Sequence, residues 1–283
     1  MEKQKRVMAI HDISCVGRCS LTVALPIISA AGHDCGVLPT AVLSTHTGGF
    51  EGFTFRDLTH DVRPISAHWQ SLGLAFDAMY SGFLGSFEQI DLVAELFETY
   101  KTDGNVILVD PVMADEGKLY SIYSPEMAKG MAKLCGKADI IVPNITEACF
   151  MVDEEYKAGP YDAAYIENLL RKLAALGPKK VVLTGVHFDN EKLGAAVYDA
   201  ANDKIEYVFA SRIDGHFHGT GDVFGSALLS AYLLGHTLAE AAQIACDFVV
   251  DSIKPTLAMQ QERRYGVAFE RALPNFIKRL DLI

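Results

Sequence analysis

The sequence lacks the features that define several large classes of protein. No apolar run approaches the roughly 18 to 20 residues that a membrane helix needs, and the charged start Met1–Arg6 is not followed by a signal-type apolar segment. The 25 Lys and Arg residues are scattered and outnumbered by 36 acidic residues, so the net charge is −11 and no basic patch is available to a nucleic acid. We therefore expect a cytoplasmic protein that binds neither membranes nor nucleic acids.

The six cysteines form no C-x-x-C motif, and only Cys15 and Cys19 lie close together in the sequence. With His11, this pair is a poor match to the three or four ligands of a zinc site, so we expect reduced thiols, mostly in the core. The acidic composition would also repel a nucleotide. An anion site must therefore be built locally, from backbone N–H groups, a metal ion and a few charged side chains.

The sequence has no internal repeat, low-complexity tract or long linker, which predicts a single domain over residues 1–283. Short β-branched and apolar runs alternate with amphipathic stretches, which is typical of a parallel α/β sheet covered on both faces. Strands are predicted over Arg6–Ile10, Val37–Leu43, Ala78–Leu84, Asn105–Val112, Asp139–Pro143 and Lys180–Val186. The ranges Lys192–Asp199 and Lys204–Ala210 predict a hairpin at the sheet edge, which makes the sheet mixed.

Apolar residues at helical spacing predict the helices that cover this sheet. The predicted ranges are Phe87–Tyr100, Ile166–Leu176, Gly221–Leu234, Thr237–Ile253 and Val267–Leu280. Thr237 and Glu240 have the spacing of a capping box and mark the start of the fourth of these helices.

The two commonest nucleotide-binding motifs, G-x-x-x-x-G-K-[ST] and a G-x-G-x-x-G after the first strand, are absent from the sequence. Instead, Gly219, Thr220 and Gly221 stand at the start of a strongly helical run. Helix N-termini favour anions, and glycine lets the backbone approach a phosphate closely, so these residues are a candidate phosphate cradle. Asp222, in the first turn, is a candidate base for an acceptor hydroxyl. The alternative is a tight turn in which Asp222 only caps the helix.

Polar side chains follow two further predicted strands. Asp110 and Asp115 come after one strand, and Asn144 and Glu147 come after the next, where a helix begins. Parallel sheets bind ligands at these strand ends, and Mg²⁺ takes oxygen ligands, often through water. The four residues are therefore candidates for one Mg²⁺ site. The alternative for Asn144 and Glu147 is an N-cap and its capping carboxylate.

Three segments are candidates to line an acceptor pocket. His11-Asp12-Ile13-Ser14 is expected to follow the first strand, and Ser44–Gly49 the second. Within the second segment, His46 is consistent with a structural, hydrogen-bonded histidine as well as with a catalytic one. Phe83, after the third strand, offers a ring face to a planar substrate, and its alternative is a place in the core.

Taken together, these residues resemble the ribokinase-like superfamily and, within it, the pyridoxal (B6 vitamer) kinases. The anchors are Ser44-Thr45-His46-Thr47, Ser81-Gly82-Phe83-Leu84-Gly85, Asp110-Pro111-Val112-Met113, Pro143-Asn144-x-x-Glu147, Gly219-Thr220-Gly221-Asp222 and Thr256-Leu257-Ala258-Met259-Gln260. The superfamily shares the G-x-G-D element, whereas the combination is more specific to B6 kinases. The resemblance implies a three-layer α/β/α sandwich with a mostly parallel central sheet and an antiparallel edge hairpin.

The same resemblance implies a homodimeric kinase that uses ATP and Mg²⁺ to phosphorylate the 5′-hydroxymethyl group of pyridoxal, pyridoxine or pyridoxamine. It makes Asp222 the base and Gly219–Gly221 the anion hole over the γ-phosphate. Other implied roles are Mg²⁺ and phosphate binding by Asp110, Asp115, Asn144 and Glu147, nucleotide contact by Thr184, and contact with the pyridine ring by His46, Thr47 and Phe83. Residues 115–120 would form a lid, and a need for a monovalent cation stays open.

The sequence also departs from the B6 kinase pattern. Many members have a Ser in a Gln-Ser-His run after the first strand, where this chain has Asp12. We hypothesise that Asp12 binds the pyridine nitrogen or a cationic aminomethyl group of the acceptor. Phe83 replaces a frequent Tyr, and Gly185 a common Ser. The alternatives are therefore a hydroxymethylpyrimidine kinase, which shares the fold, and a catalytically silent vitamer-binding protein.

Overall fold

The computed structural model describes residues 3–283. The strands of this range are β1 (Arg6–Ser14), β2 (Asp34–Leu43), β3 (Phe55–Asp57), β4 (Ala78–Ser81), β5 (Val106–Val109), β6 (Ala114–Asp115), β7 (Lys118–Leu119), β8 (Ile140–Ile141), β9 (Lys180–Val186), β10 (Lys192–Asp199) and β11 (Lys204–Ser211). The α-helices are α1 (Leu21–Ala30), α2 (Thr59–Ser71), α3 (Phe87–Tyr100), α4 (Pro125–Cys135), α5 (Ile145–Val152), α6 (Ala163–Ala174), α7 (Thr220–Leu233), α8 (Leu238–Ala258) and α9 (Leu273–Arg279).

The chain forms two compact units. The first contains the described residues up to Ala78 together with Ile213–Ile283, and the second is Met79–Arg212. A single domain over residues 1–283 stays a prediction. None of the helices within residues 3–283 has the length and apolar character needed to cross a membrane.

The first unit is built on β1 and β2, which pair in parallel from Arg6 opposite Asp34 to Ser14 opposite Leu43. β1 is buried along nearly its whole length, as expected for a parallel strand covered on both faces. α1 packs on both strands and on α7, and α7 packs along α8. This packing carries the start of α1 and the start of α7 to the site described below.

The second unit has the strand order β11-β10-β9-β8-β5-β4. β5, β8 and β9 are parallel, whereas β10 pairs antiparallel with both β9 and β11 and forms the edge hairpin. α6 packs on β9 and β10, and α3, α4 and α5 pack side by side. A mostly parallel, mixed sheet with helices on both sides and antiparallel edge strands confirms the predicted α/β class.

Several predicted boundaries were wrong, each for a local reason. β5 ends at Val109 and not Val112, since Pro111 has no N–H for the ladder. The predicted last helix is interrupted: a 3₁₀ turn at Phe269–Arg271 precedes α9, whose second residue is a proline that fits only the first turn. His11-Asp12-Ile13-Ser14 does not follow the first strand but belongs to it, past a bulge between His11 and Ile13.

Candidate active site

The start of α7 has the geometry predicted for an anion cradle. Gly219 is the N-cap in the left-handed conformation (φ 77°), and the Val223 N–H donates to its carbonyl at 3.0 Å. The N–H groups of the first turn, at Thr220, Gly221 and Asp222, have no carbonyl to bond within the helix. A Cβ atom on residue 219 would lie 2.0 Å from the Arg18 carbonyl oxygen, so only glycine fits this turn.

Asp222 lies in the first turn of α7, as predicted, and keeps some solvent exposure. The Ser20 backbone N–H lies near this carboxylate. Desolvation raises the pKa of Asp222 to about 7, and the nearby Asp12 carboxylate contributes in the same direction. A carboxylate with such a pKa binds a proton more strongly than an ordinary Asp does, which is the property required of a general base.

The raised pKa of Asp222 predicts a pH-dependent stability. Between an unfolded value near 3.8 and about 7, the folded chain binds more protons at this group than the unfolded chain, so its contribution to stability is present at low pH and lost as pH rises through that window. Asp222→Asn should therefore be more stable than the wild type at pH 8 but not at pH 4. Urea unfolding at both pH values measures this, and an equal difference at the two would contradict it.

Asp12 lies on β1, and only 5% of it is exposed. Its Oδ1 accepts a hydrogen bond from Ser20 Oγ at 2.6 Å, and its Oδ2 accepts one from Ser14 Oγ at 3.2 Å. Burial raises the pKa of Asp12, against the opposing effect of these two bonds. Both oxygens of the predicted acceptor-binding carboxylate are thus engaged by neighbouring serines.

His46 is buried and held by main-chain groups on both ring nitrogens. Its Nδ1 accepts from the Gly48 N–H at 3.1 Å, which requires that Nε2 carry the proton and donate to the Arg264 carbonyl. Burial lowers the pKa of His46, so the ring is neutral. Its ring also contacts the rings of Phe50 and His218. These bonds are consistent with the structural histidine considered above, and a role of His46 in the site stays a prediction; Thr47 beside it is exposed.

In the second unit, Glu147 connects α5 to the segment that follows β5. Its Oε1 accepts from the Met113 N–H at 3.1 Å, and its Oε2 accepts from the Asn144 N–H at 2.8 Å. The Asn144 side chain accepts from the Glu147 N–H at 2.9 Å and donates to the Ala114 carbonyl at 2.8 Å. The two residues thus form the capping box considered as an alternative, and they also fix the backbone after Asp110.

Asn144→Ala should lower the free energy of unfolding by about 1–2 kcal/mol, because it removes the N-cap acceptor and the bond to Ala114. Asn190 is exposed, so Asn190→Ala is the matched control. Chemical denaturation compares the two. Equal stability of both variants would show that the cap contributes nothing.

The remaining candidates of the second unit lie on, or shortly after, strands of its sheet. Asp110, 6% exposed, comes directly after β5 and donates its N–H to the Ser81 carbonyl. Thr184 lies on β9 and bonds to the Pro143 carbonyl through its N–H (2.9 Å) and its hydroxyl (3.3 Å). Phe83 is partly buried, and its ring meets that of Tyr123 edge-on at 6.1 Å.

Asp115 lies in the β6–β7 hairpin, which turns through Glu116 (φ 48°) and Gly117 (φ 78°). Positive φ at both turn residues is typical of a type I′ hairpin. The Gly117 N–H donates to Thr146 Oγ1 at 3.0 Å and ties the turn to α5. The segment predicted as a lid is therefore a short hairpin held at its tip.

The donors of the second unit fit Mg²⁺. Burial raises the pKa of Glu147 to about 8, and the Asp115 carboxylate adds to the effect, so a divalent cation would relieve the cost of ionising Glu147. Mg²⁺ typically takes one or two protein carboxylates and completes its shell with water and phosphate oxygens. Within residues 3–283, no group of three or more His, Cys, Asp or Glu side chains could hold a metal ion alone.

Sequence reasoning missed the residues that support this site. Ser20 was detectable only as a polar residue before the apolar run of α1. The contacts of Arg18 with Gly219 and of Arg264 with His46 join residues about 200 positions apart. No local pattern reports such contacts.

Known proteins are similar to this chain in both sequence and fold. The family model for phosphomethylpyrimidine kinase matches residues 31–266. A solved structure from Bacteroides thetaiotaomicron, titled a "putative phosphomethylpyrimidine kinase", is 37% identical with a TM-score of 0.93, covering 97% of this chain and 94% of that one. A second crystal form of it, with pyridoxal, has a TM-score of 0.92.

Pyridoxal kinase from Lactobacillus plantarum is 30% identical, with a TM-score of 0.89 and 98% of each chain covered. The hydroxymethylpyrimidine/phosphomethylpyrimidine kinase of Aquifex aeolicus is 32% identical over 177 residues, which are 61% of this chain and 65% of that protein. The chain spans between 34% and 65% of the length of three curated relatives. The family match covers most of the chain, and the chain therefore belongs to the phosphomethylpyrimidine kinase family.

Proposed function

We propose that the chain is an ATP-dependent kinase that phosphorylates the 5′-hydroxymethyl group of a B6 vitamer. The observation that carries the proposal is the position of Asp222, a carboxylate with a pKa near 7, in the first turn of a helix whose N-terminal N–H groups form an anion cradle. A base beside an anion site is what phosphoryl transfer to a hydroxyl requires.

In the proposed reaction, Asp222 takes the hydroxyl proton of the acceptor, and the resulting alkoxide oxygen bonds to the γ-phosphorus. The bond from that phosphorus to the β–γ bridging oxygen breaks, and ADP leaves with the bond's electron pair. The N–H groups of Gly219, Thr220 and Gly221 stabilise the phosphoryl oxygens, where negative charge is held during transfer.

The second unit supplies the proposed nucleotide and metal groups. Asp115 and Glu147 would hold Mg²⁺, with Asp110 and Asn144 contributing directly or through water and Thr184 contacting nucleotide. The bound ion would neutralise charge on the phosphates. Asn144 and Glu147 already fix the backbone at 113–114, which keeps the hairpin of Asp115 in place. We propose that this hairpin, held in place by these bonds, acts as a lid that covers bound nucleotide and excludes water.

Two acceptors are supported by different relatives. A B6 vitamer is favoured by the relative solved with pyridoxal, at 37% identity, and by the Lactobacillus pyridoxal kinase. Hydroxymethylpyrimidine is the second candidate, because the Aquifex relative carries that activity in its name and the matching family model is named for a phosphomethylpyrimidine kinase. His46, Thr47 and Phe83 are the proposed contacts to the heterocycle. Both acceptors present a CH₂OH group on a nitrogen heterocycle, so the proposed chemistry is the same.

The test is release of ADP, measured by a coupled assay with Mg²⁺ and ATP, against pyridoxal, pyridoxine, pyridoxamine, hydroxymethylpyrimidine and ribose. We expect turnover with at least one B6 vitamer to exceed turnover with the pyrimidine. The reverse order would assign the chain to the second acceptor. Binding of a vitamer without ADP release would instead support a silent vitamer-binding protein.

We also propose that the protein is a cytoplasmic homodimer. Light scattering, which measures the mass of the particle in solution, tests the dimer.

A further inference from the structure

The Arg18 carbonyl packs against two glycines from distant parts of the chain. A Cβ atom on residue 219 would lie 2.0 Å from its oxygen, and a Cβ atom on residue 266 would lie 2.7 Å from the same oxygen. Both Gly219 and Gly266 have a positive φ, 77° and 82°. Neither position accepts a side chain unless this carbonyl moves. The place of Arg18 therefore determines the place of the cradle glycine.

The side chain and the main chain of Arg18 are both fixed. The Arg18 N–H donates to the Tyr265 carbonyl at 2.9 Å. The guanidinium donates through Nε to both carboxylate oxygens of Glu270, at 2.8 and 2.9 Å, and through a terminal nitrogen to Gln261 Oε1 at 3.2 Å. The Arg18 side chain is 24% exposed. Several bonds from one partly buried guanidinium hold a geometry that a single exposed ion pair does not.

We call residues 261–266, which follow α8, the strap. Two adjacent carbonyls of the strap hold two different loops of the site. The Arg264 carbonyl accepts from His46 Nε2, and the carbonyl of the next residue, Tyr265, accepts from the Arg18 N–H. The strap thus connects the loop of the predicted acceptor contact with the loop that packs on the anion cradle.

The Arg18 side chain is not available to bind a phosphate itself. Its guanidinium is engaged by Glu270 and Gln261, and the cavity that it lines is also lined by Glu262 and Glu270. A phosphate in this cavity would meet two carboxylates, which repel it. Arg18 therefore acts on the cradle through its carbonyl, and its side chain serves to hold that carbonyl in place.

We propose that Arg18 is a positioning residue for the anion cradle: anchored by Glu270 and the strap, it holds Gly219 so that the first N–H groups of α7 face the transferred phosphoryl group. All of these residues belong to the first unit. The inference rests on the proposed function, because that function places the phosphoryl oxygens at this cradle. It assigns a role to a residue that touches neither substrate.

The decisive variant is Arg18→Ala, which removes the anchors and keeps the main chain. We expect kcat to fall about tenfold, because small displacements of a site cost rate steeply. The lost stabilisation belongs to the transition state, so the KM values for ATP and acceptor should stay within about twofold of the wild type. Arg6→Ala is the control: it removes a half-exposed ion pair to Asp34 at the start of β1 and should leave these constants unchanged.

Two milder variants test the anchor if Arg18→Ala does not fold. Arg18→Lys keeps the charge but lacks the planar fork that reaches two partners, so kcat should recover to within about threefold of the wild type. Glu270→Gln keeps an acceptor without the charge and should lower kcat about threefold. Combined with Arg18→Ala, Glu270→Gln should be non-additive in kcat, because both variants remove the same ion pair.

Gly266→Ala displaces the same carbonyl from the side of the strap. Its Cβ would meet the Arg18 oxygen at 2.7 Å, whereas Gly32→Ala, also at a positive φ, meets no atom within 4 Å. We expect kcat to fall about tenfold in Gly266→Ala and to stay unchanged in Gly32→Ala. Equal kcat values in the two variants would contradict the role given to the carbonyl.

Hydrogen exchange separates this inference from the proposed function, since it needs no turnover. The N–H of residue 18 is protected by the Tyr265 carbonyl, and the Val223 N–H by the Gly219 carbonyl at the start of α7. In Arg18→Ala both N–H groups should exchange about tenfold faster, and in Arg6→Ala neither should change. If the wild type turns over none of the acceptors, the proposed function fails, and these exchange rates still decide whether the Arg18 side chain holds the cradle.

Three results would overturn the proposal. The first is unchanged exchange at residues 18 and 223 in Arg18→Ala. The second is wild-type kcat in Arg18→Ala, which would leave the ion pair with Glu270 a purely structural role. The third is a rise of about tenfold in the KM for ATP or acceptor with an unchanged kcat, since that would make Arg18 a group for substrate binding.

Discussion

Asp222→Asn should lower kcat by about 10³-fold while leaving the affinity for acceptor nearly unchanged. A general base typically contributes 10² to 10⁴ in rate, and Asn cannot take a proton. The substitution preserves the shape of the side chain and one oxygen acceptor, so the start of α7 should keep its geometry. Coupled detection of ADP gives kcat, and calorimetric titration gives the affinity for acceptor.

The control is Asp103→Asn, the same chemical change at an exposed site, which should leave both quantities at their wild-type values. The pH dependence provides a second check. The base must be unprotonated to act, so wild-type kcat/KM should rise with pH and level off above about 7, the pKa of Asp222. A variant that retained more than a tenth of the wild-type kcat would remove Asp222 from the role of base.

Sequence periodicity was sufficient to predict the bounds of the elements whose apolar residues recur regularly. β9 and β10 and the helix α3 have the predicted bounds, because burial on one or both faces fixes their pattern of apolar residues. The positions of Asp222 in the first turn of α7 and of Asn144 before α5 were also predictable, since helix starts have their own signals.

The environment of these residues was not predictable in the same way. Asp12 was placed after the first strand, but pairing with β2 extends β1 to Ser14 and buries the carboxylate. The hydrogen bond from Ser20 to Asp12 depends on a backbone conformation at Ser20 that has no sequence signal for a serine. What a carboxylate can do is set by such neighbours, which is why the sequence located the candidate base but not the groups that act on it.

Gly219→Ala should be the most disruptive single change at the anion cradle. Two costs add at this position: a left-handed φ of 77°, worth about 1–2 kcal/mol for an L-residue, and a Cβ atom placed 2.0 Å from the Arg18 carbonyl oxygen. The neighbouring atom is backbone, so the start of α7 or the β1–α1 loop must move. We expect the free energy of unfolding to fall by about 3 kcal/mol or more and kcat to fall at least about 100-fold, because the N–H groups no longer face the phosphate.

Two glycines of the same chain separate these costs. Gly32 also has a positive φ, 86°, but no atom lies within 4 Å of its would-be Cβ, so Gly32→Ala measures the conformational cost alone. Gly104 has open space and no positive φ, so Gly104→Ala should be neutral. Urea denaturation of the three variants ranks them, and the coupled assay shows whether only Gly219→Ala loses activity. If Gly219→Ala were no less stable than Gly32→Ala and remained active, the close approach of Arg18 would not be what shapes the cradle.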